Sequence, residues 1–75
     1  MNVEEKIDKL VEKIKEKYGD TITFVDFEDI YEEFDDICVE KYGKPERNFI
    51  AVVGFGNRCR KKLRKLLKDN NILLR

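Results

Sequence analysis

Histidine, serine, glutamine and tryptophan are missing from this chain, which holds one proline, one methionine and two cysteines. Without His or Ser the familiar general-base and nucleophile sets cannot be assembled, so no enzyme is expected. Cys38 and Cys59 lie 21 residues apart with no His partners, which excludes the usual zinc spacings. They read as small core residues, with a disulfide between them as the alternative. No metal or cofactor is implied. No run of about 18 apolar residues occurs, so no membrane span is expected. Met1 to Glu5 has neither a basic start nor an apolar stretch, so the expectation is a cytoplasmic protein without a signal peptide. With 75 residues there is room for one domain over residues 1–75, and none for a large buried substrate cavity.

What the chain does have is charge, on 43% of its residues. Abundant Lys and Glu with no Gln resembles the composition of thermophile proteins. The two signs are sorted by position. Met1–Gly43 carries 14 acidic and 6 basic residues, a net of −8, and Lys44–Arg75 carries 10 basic and 2 acidic, a net of +8. The zero total hides two strongly charged blocks. Arg58, Arg60, Lys61, Lys62, Arg64, Lys65 and Lys68 fall between Asn57 and Lys68 with no acid among them. Asp20–Glu40 holds nine acids and no base. A basic element in a small domain points to a polyanion. The plainer reading is a solvated basic face that pairs with the acidic one, within or between chains.

Apolar periodicity divides the chain into helices. Val3, Ile7, Leu10, Val11, Ile14 and Tyr18 form one stripe, with Asn2 as cap and Gly19 as stop. Thr21–Val25 alternates and is β-branched, which suits a short strand. Asp26 is placed to cap a second helix, with Asp29 in the capping-box position and Gly43 at its end. That helix buries Phe27, Ile30, Tyr31, Phe34, Ile37, Cys38 and Tyr42. Phe49–Val53 has the composition of a strand, but Pro45 in a first-turn position favours a short helix over residues 45–53, stopped by Gly54. In that helix Phe49, Ile50, Val52 and Val53 form the packed face. A fourth helix, Asn57 to Asp69, buries Cys59, Leu63, Leu66 and Leu67. Lys61, Lys65 and Lys68 lie opposite, flanked by Arg58 and Arg64, with Arg60 and Lys62 at the borders. Asp69–Asn70–Asn71 is a turn, and Ile72–Arg75 a strand able to pair with residues 21–25.

Pro45–Val53, Gly54–Phe55–Gly56 and Asn57–Lys68 together resemble a helix-turn-helix, with Gly54 in the turn and Phe55 as its apolar plug. The order of elements is similar to a winged helix lacking its wing. The resemblance implies a mainly α, four-helix domain with two very short strands, whose last helix enters the major groove of double-stranded DNA. A transcriptional regulator or nucleic-acid accessory factor acting as a homodimer is the expected role. Asn57, Arg58 and Arg64 are candidate base readers, and Lys61, Lys65 and Lys68 candidate phosphate contacts, with Arg60 and Lys62 in the same basic set. The alternative is a protein-interaction module in which Glu28, Glu32, Glu33, Asp35 and Asp36 dock a basic partner or a neighbouring subunit. RNA is disfavoured because the aromatics lie on apolar stripes, away from the cations. Gly54–Phe55–Gly56 lacks the rest of a phosphate-binding loop, and no small-molecule substrate is evident.

Overall fold

A computed structural model describes all 75 residues. The order of elements is α1 (Val3–Tyr18), β1 (Thr21–Ile22), α2 (Phe24–Tyr42), α3 (Phe49–Asp69) and β2 (Leu73–Leu74). The chain is thus mainly helical, with three helices where the sequence suggested four.

α1 forms as its periodicity predicts. The Asn2 side chain accepts the Glu5 amide at 2.9 Å, and Gly19, at φ 80°, ends the helix. α1 packs against α2 in antiparallel fashion. The ion pairs Lys6–Glu40, Lys13–Glu33 and Lys41–Glu4 run down one helix as they climb the other. Each is exposed and contributes about 0–1 kcal/mol, so the pairs fix register more than stability.

α2 begins three residues earlier than its expected cap. Thr23 accepts the Asp26 amide, and the Asp26 carboxylate accepts the Thr23 amide, closing a capping box. The strand before it shrinks accordingly to Thr21–Ile22. Asp26 therefore fills the third helical position, not the cap. Earlier initiation adds a turn that carries Phe24 and Val25 outward while Phe27 enters the core.

The two strands are parallel, with Thr21 opposite Leu73 and Ile22 opposite Leu74. Parallel neighbours require a crossover, supplied here by α2 and α3. The Leu73 amide donates to the Asp20 carbonyl at 2.7 Å and that of Arg75 to the Ile22 carbonyl at 3.0 Å. The end of α3 is thereby latched to the start of α2. Asn71, at φ 59°, makes the left-handed step between α3 and β2, a conformation that Asn tolerates better than most residues.

Residues 49–69 form one uninterrupted helix, and this corrects the sequence reading most. Asn48, not Pro45, is the start signal: its side chain accepts the Ala51 amide at 2.8 Å. Pro45 lies outside, in the connection after Gly43. Gly54 and Gly56 do not break the helix, and neither has positive φ. Phe55 decides the matter, because it shares the buried side of α3 with Cys59, Leu63 and Leu67 at helical spacing. A turn at Phe55 would remove it from that row. The glycines instead make room, since a Cβ on Gly56 would lie 3.2 Å from Arg60 Nη1 and 3.4 Å from Tyr31 Oη.

A Gly54→Ala substitution tests the continuity of α3. The added Cβ would meet only the mobile end of Arg58, at 3.3 Å. Alanine is favoured over glycine inside a helix by about 1 kcal/mol, so Tm should rise by roughly 4–8 °C. A fall in Tm would mean that Gly54 occupies a left-handed turn.

The core joins all five elements except β2. α1 contributes Leu10 and Ile14, β1 Ile22, and α2 Phe27, Ile30, Phe34, Ile37 and Cys38. Phe55, Cys59, Leu63 and Leu67 enter from α3, and Ile72 closes the base. Both cysteines are free and 1% exposed, as expected of small core residues. The packed face expected on residues 49–53 is not packed. Phe49 and Ile50 are each 83% exposed, because α3 projects beyond α2 before Phe55 reaches the core.

Candidate nucleic-acid interface

α3 has 21 residues, about 30 Å of helix, and its two sides differ completely in chemistry. Cys59, Leu63 and Leu67 anchor the inner side. Asn57, Arg58, Lys61, Arg64, Lys65 and Lys68 are exposed on the outer side. The helical period alone brings these six to one side, as the helical wheel places them. Among the five cations, Lys65 pairs with Asp69 one turn on, at 2.8 Å, and the others form no ion pair. The Arg58 guanidinium folds back over Gly54, while that of Arg64 lies 5.4 Å from the centre of the Phe27 ring.

Two members of the basic set face elsewhere. Arg60 turns toward α2, where its guanidinium lies 4.1 Å from the centre of the Tyr31 ring and its Nε donates to Glu28 at 3.3 Å. Tyr31 in turn donates to Asp35 at 3.2 Å. Arg60 is therefore a clamp between α2 and α3, with its guanidinium turned away from the outer row. Lys62, at the edge of the outer side, sits 4.9 Å from the centre of the Tyr42 ring. The sequence hid the role of Arg60, because only the crossing of two helices reveals what lies beneath a border position.

Burial, followed by the neighbouring Asp35 carboxylate, pushes the Tyr31 hydroxyl from 10.0 to about 12. Burial and a hydrogen bond with Cys59 raise the Cys38 thiol from 9.0 to about 12. Both groups hold their protons more tightly folded than unfolded. Their contribution is fully present below about pH 9 and is lost as pH rises toward 12. The urea midpoint should fall across that window, and Tyr31→Phe should soften the fall. A Tyr31→Phe variant with an unchanged alkaline profile would contradict the assignment.

The acidic set is largely committed within the chain. Glu28 holds Arg60, Glu33 holds Lys13 at 2.6 Å, and Asp35 accepts from Tyr31. Glu32 and Asp36 remain without ion pairs, beside Asp29 in the groove between α1 and α2. Only Arg60–Glu28 joins α3 to the acidic helix by an ion pair. Apart from Lys65, which pairs with Asp69, the outer side of α3 is therefore not neutralised from within.

Asn57 and Arg58 do not open a helix, as the sequence placed them, but lie two turns inside α3. The polarised amides of the helix start are at Phe49 and beyond, away from the cations. No three metal-ligating side chains converge, and no polar or charged residue is fully buried. Comparison with protein-family models, curated proteins and solved structures returned no match. The chemistry of the outer side of α3 must therefore speak for itself.

Proposed function

We propose that this chain binds double-stranded DNA through the outer side of α3, as a transcriptional regulator or nucleic-acid accessory factor. One observation carries the reading: five cations share one helical side, one of them ion-paired, and none of the five pairs with an acid of α2. From Arg58 to Lys68 the row spans about 15 Å. The major groove is about 12 Å wide and admits a helix, so cations on the flanks of this side come within reach of its phosphate walls. Lys61, Lys65 and Lys68 suit phosphates, as flexible point charges. Arg58, Arg64 and Asn57 carry the donors that read guanine or adenine edges. In this proposal α2 and α3, joined by residues 43–48, replace the helix pair that the sequence suggested within 45–68. The five positive charges together, the two arginines included, displace counterions from the duplex, which predicts that affinity for it falls roughly 10²–10³-fold between about 50 and 200 mM salt. Absence of binding at the lower salt would remove DNA as the partner.

A further inference from the structure

The ten residues Asn48–Asn57 contain no charge, in a chain where 43% of residues are charged. The structure turns the apolar side chains of this run into solvent. Phe49 and Ile50 are each 83% exposed, Val52 51% and Val53 44%. Beside them a groove of about 560 Å³ opens between residues 44–47, α2 and α3, with Val39, Val52 and Val53 in its walls beside Lys44, Glu46 and Arg47. A projecting Phe49 and a groove of mixed apolar and charged lining thus occupy the same end of the molecule.

We infer that this end is the surface through which two copies of the chain associate. Four such side chains leave on the order of 500 Å² of apolar surface, the size of the largest patch on a typical monomer, which is often a functional one. Two copies face to face bury up to about 1,000 Å², the range of weak, transient association. Charge selects the second copy as occupant. Across a two-fold axis every residue near the axis meets its twin, so a charge there would meet a like charge. Asn48–Asn57 supplies none, whereas the cations of α3 begin immediately after it. A knob and a groove on one face also make that face self-complementary, and the contact closes at two copies.

The arrangement sets a distance. If the two α3 helices run antiparallel through residues 49–53, the basic stretches point away from the axis. The middle of 57–68 lies about 11 residues from the contact, about 16 Å of helix. The two stretches are then at most about 33 Å apart, close to the 34–36 Å between half-sites one DNA turn apart. The spacing rests on the DNA reading, but the interface does not.

Sedimentation equilibrium of the wild type and of Ile50→Glu tests the proposal. Ile50 is exposed in the first turn of α3, where a carboxylate favours the helix, so the variant keeps its fold and its helical circular dichroism. The wild type should reach twice the 9.0 kDa chain mass at about 100 μM, and Ile50→Glu should weaken association at least tenfold. A wild type that stays at 9.0 kDa up to about 1 mM overturns the proposal, as does an Ile50→Glu variant that dimerises equally well. So does a monomer that instead co-sediments with phosphatidylserine vesicles. A duplex titration alongside separates the two readings. Dimers that ignore DNA leave the interface standing and remove the DNA reading, whereas DNA-binding monomers do the reverse.

Discussion

Replacing Arg58, Lys61, Arg64 and Lys68 together with alanine should reduce duplex affinity at about 50 mM salt by at least a hundredfold, because four of the five charges that displace counterions from the duplex disappear. The salt dependence should flatten in step. Binding that falls roughly 10²–10³-fold on going to 200 mM in the wild type should fall only a few-fold in the variant. Folding should survive the change. All four side chains are exposed, none forms an ion pair, and alanine is the best helix former. The packing lost is that of Arg64 over Phe27 and of Arg58 over Gly54. Replacing Glu32 and Asp36 with alanine is the matched control. Removing negative charge there should hold or raise affinity, because those acids face the groove with α1. If the fourfold variant binds as the wild type does, the outer side of α3 is not the interface. If the acidic control loses binding instead, the acidic helix is the docking surface.

The second large effect concerns stability. Phe27→Ala should cost about 3–5 kcal/mol, as truncation of a fully buried aromatic does. A chain of this length has roughly 4–11 kcal/mol to lose. Each kcal/mol lowers Tm by about 4–8 °C, so the variant should melt at least 12 °C lower and lie near the edge of folding. Phe49→Ala should cost only a few tenths of a kcal/mol in the isolated chain, since its ring is 83% exposed. Two phenylalanines that look equivalent in sequence thus differ about tenfold in consequence. Thermal melts at low protein concentration measure both. A comparable loss from the two substitutions would mean that the start of α3 is packed after all.

The contrast between Phe27 and Phe49 shows what periodicity conveys and what it does not. The stripe through Leu10 and Ile14 in α1 and that through Phe27, Ile30 and Phe34 in α2 could be read directly. A 3.6-residue repeat over four or five turns has one dominant solution. Asn2, Gly19, Gly43 and the turn at Asp69–Asn71 were legible for the same local reasons. Thr23 was passed over because Asp26 is also a good cap, and both residues serve in one capping box. Gly54 and Gly56 misled for a tertiary reason. Their value lies in the space they leave for Arg58, Arg60 and Tyr31, which is invisible until α2 and α3 cross. Phe49–Val53 is amphipathic enough to predict a helix, but periodicity cannot say whether a partner element covers it. The site divides in the same way. The outer row Asn57, Arg58, Lys61, Arg64, Lys65 and Lys68 follows from the helical wheel, whereas the inward turn of Arg60 depends on Tyr31 and Glu28.

Backbone amide shifts during titration with duplex DNA test the central claim most directly, because they report which surface the duplex touches. The account predicts perturbations concentrated on residues 57–68 of α3, with Glu32 and Asp36 unmoved. Shifts centred on residues 28–36 of α2, or none at all at low salt, would contradict it.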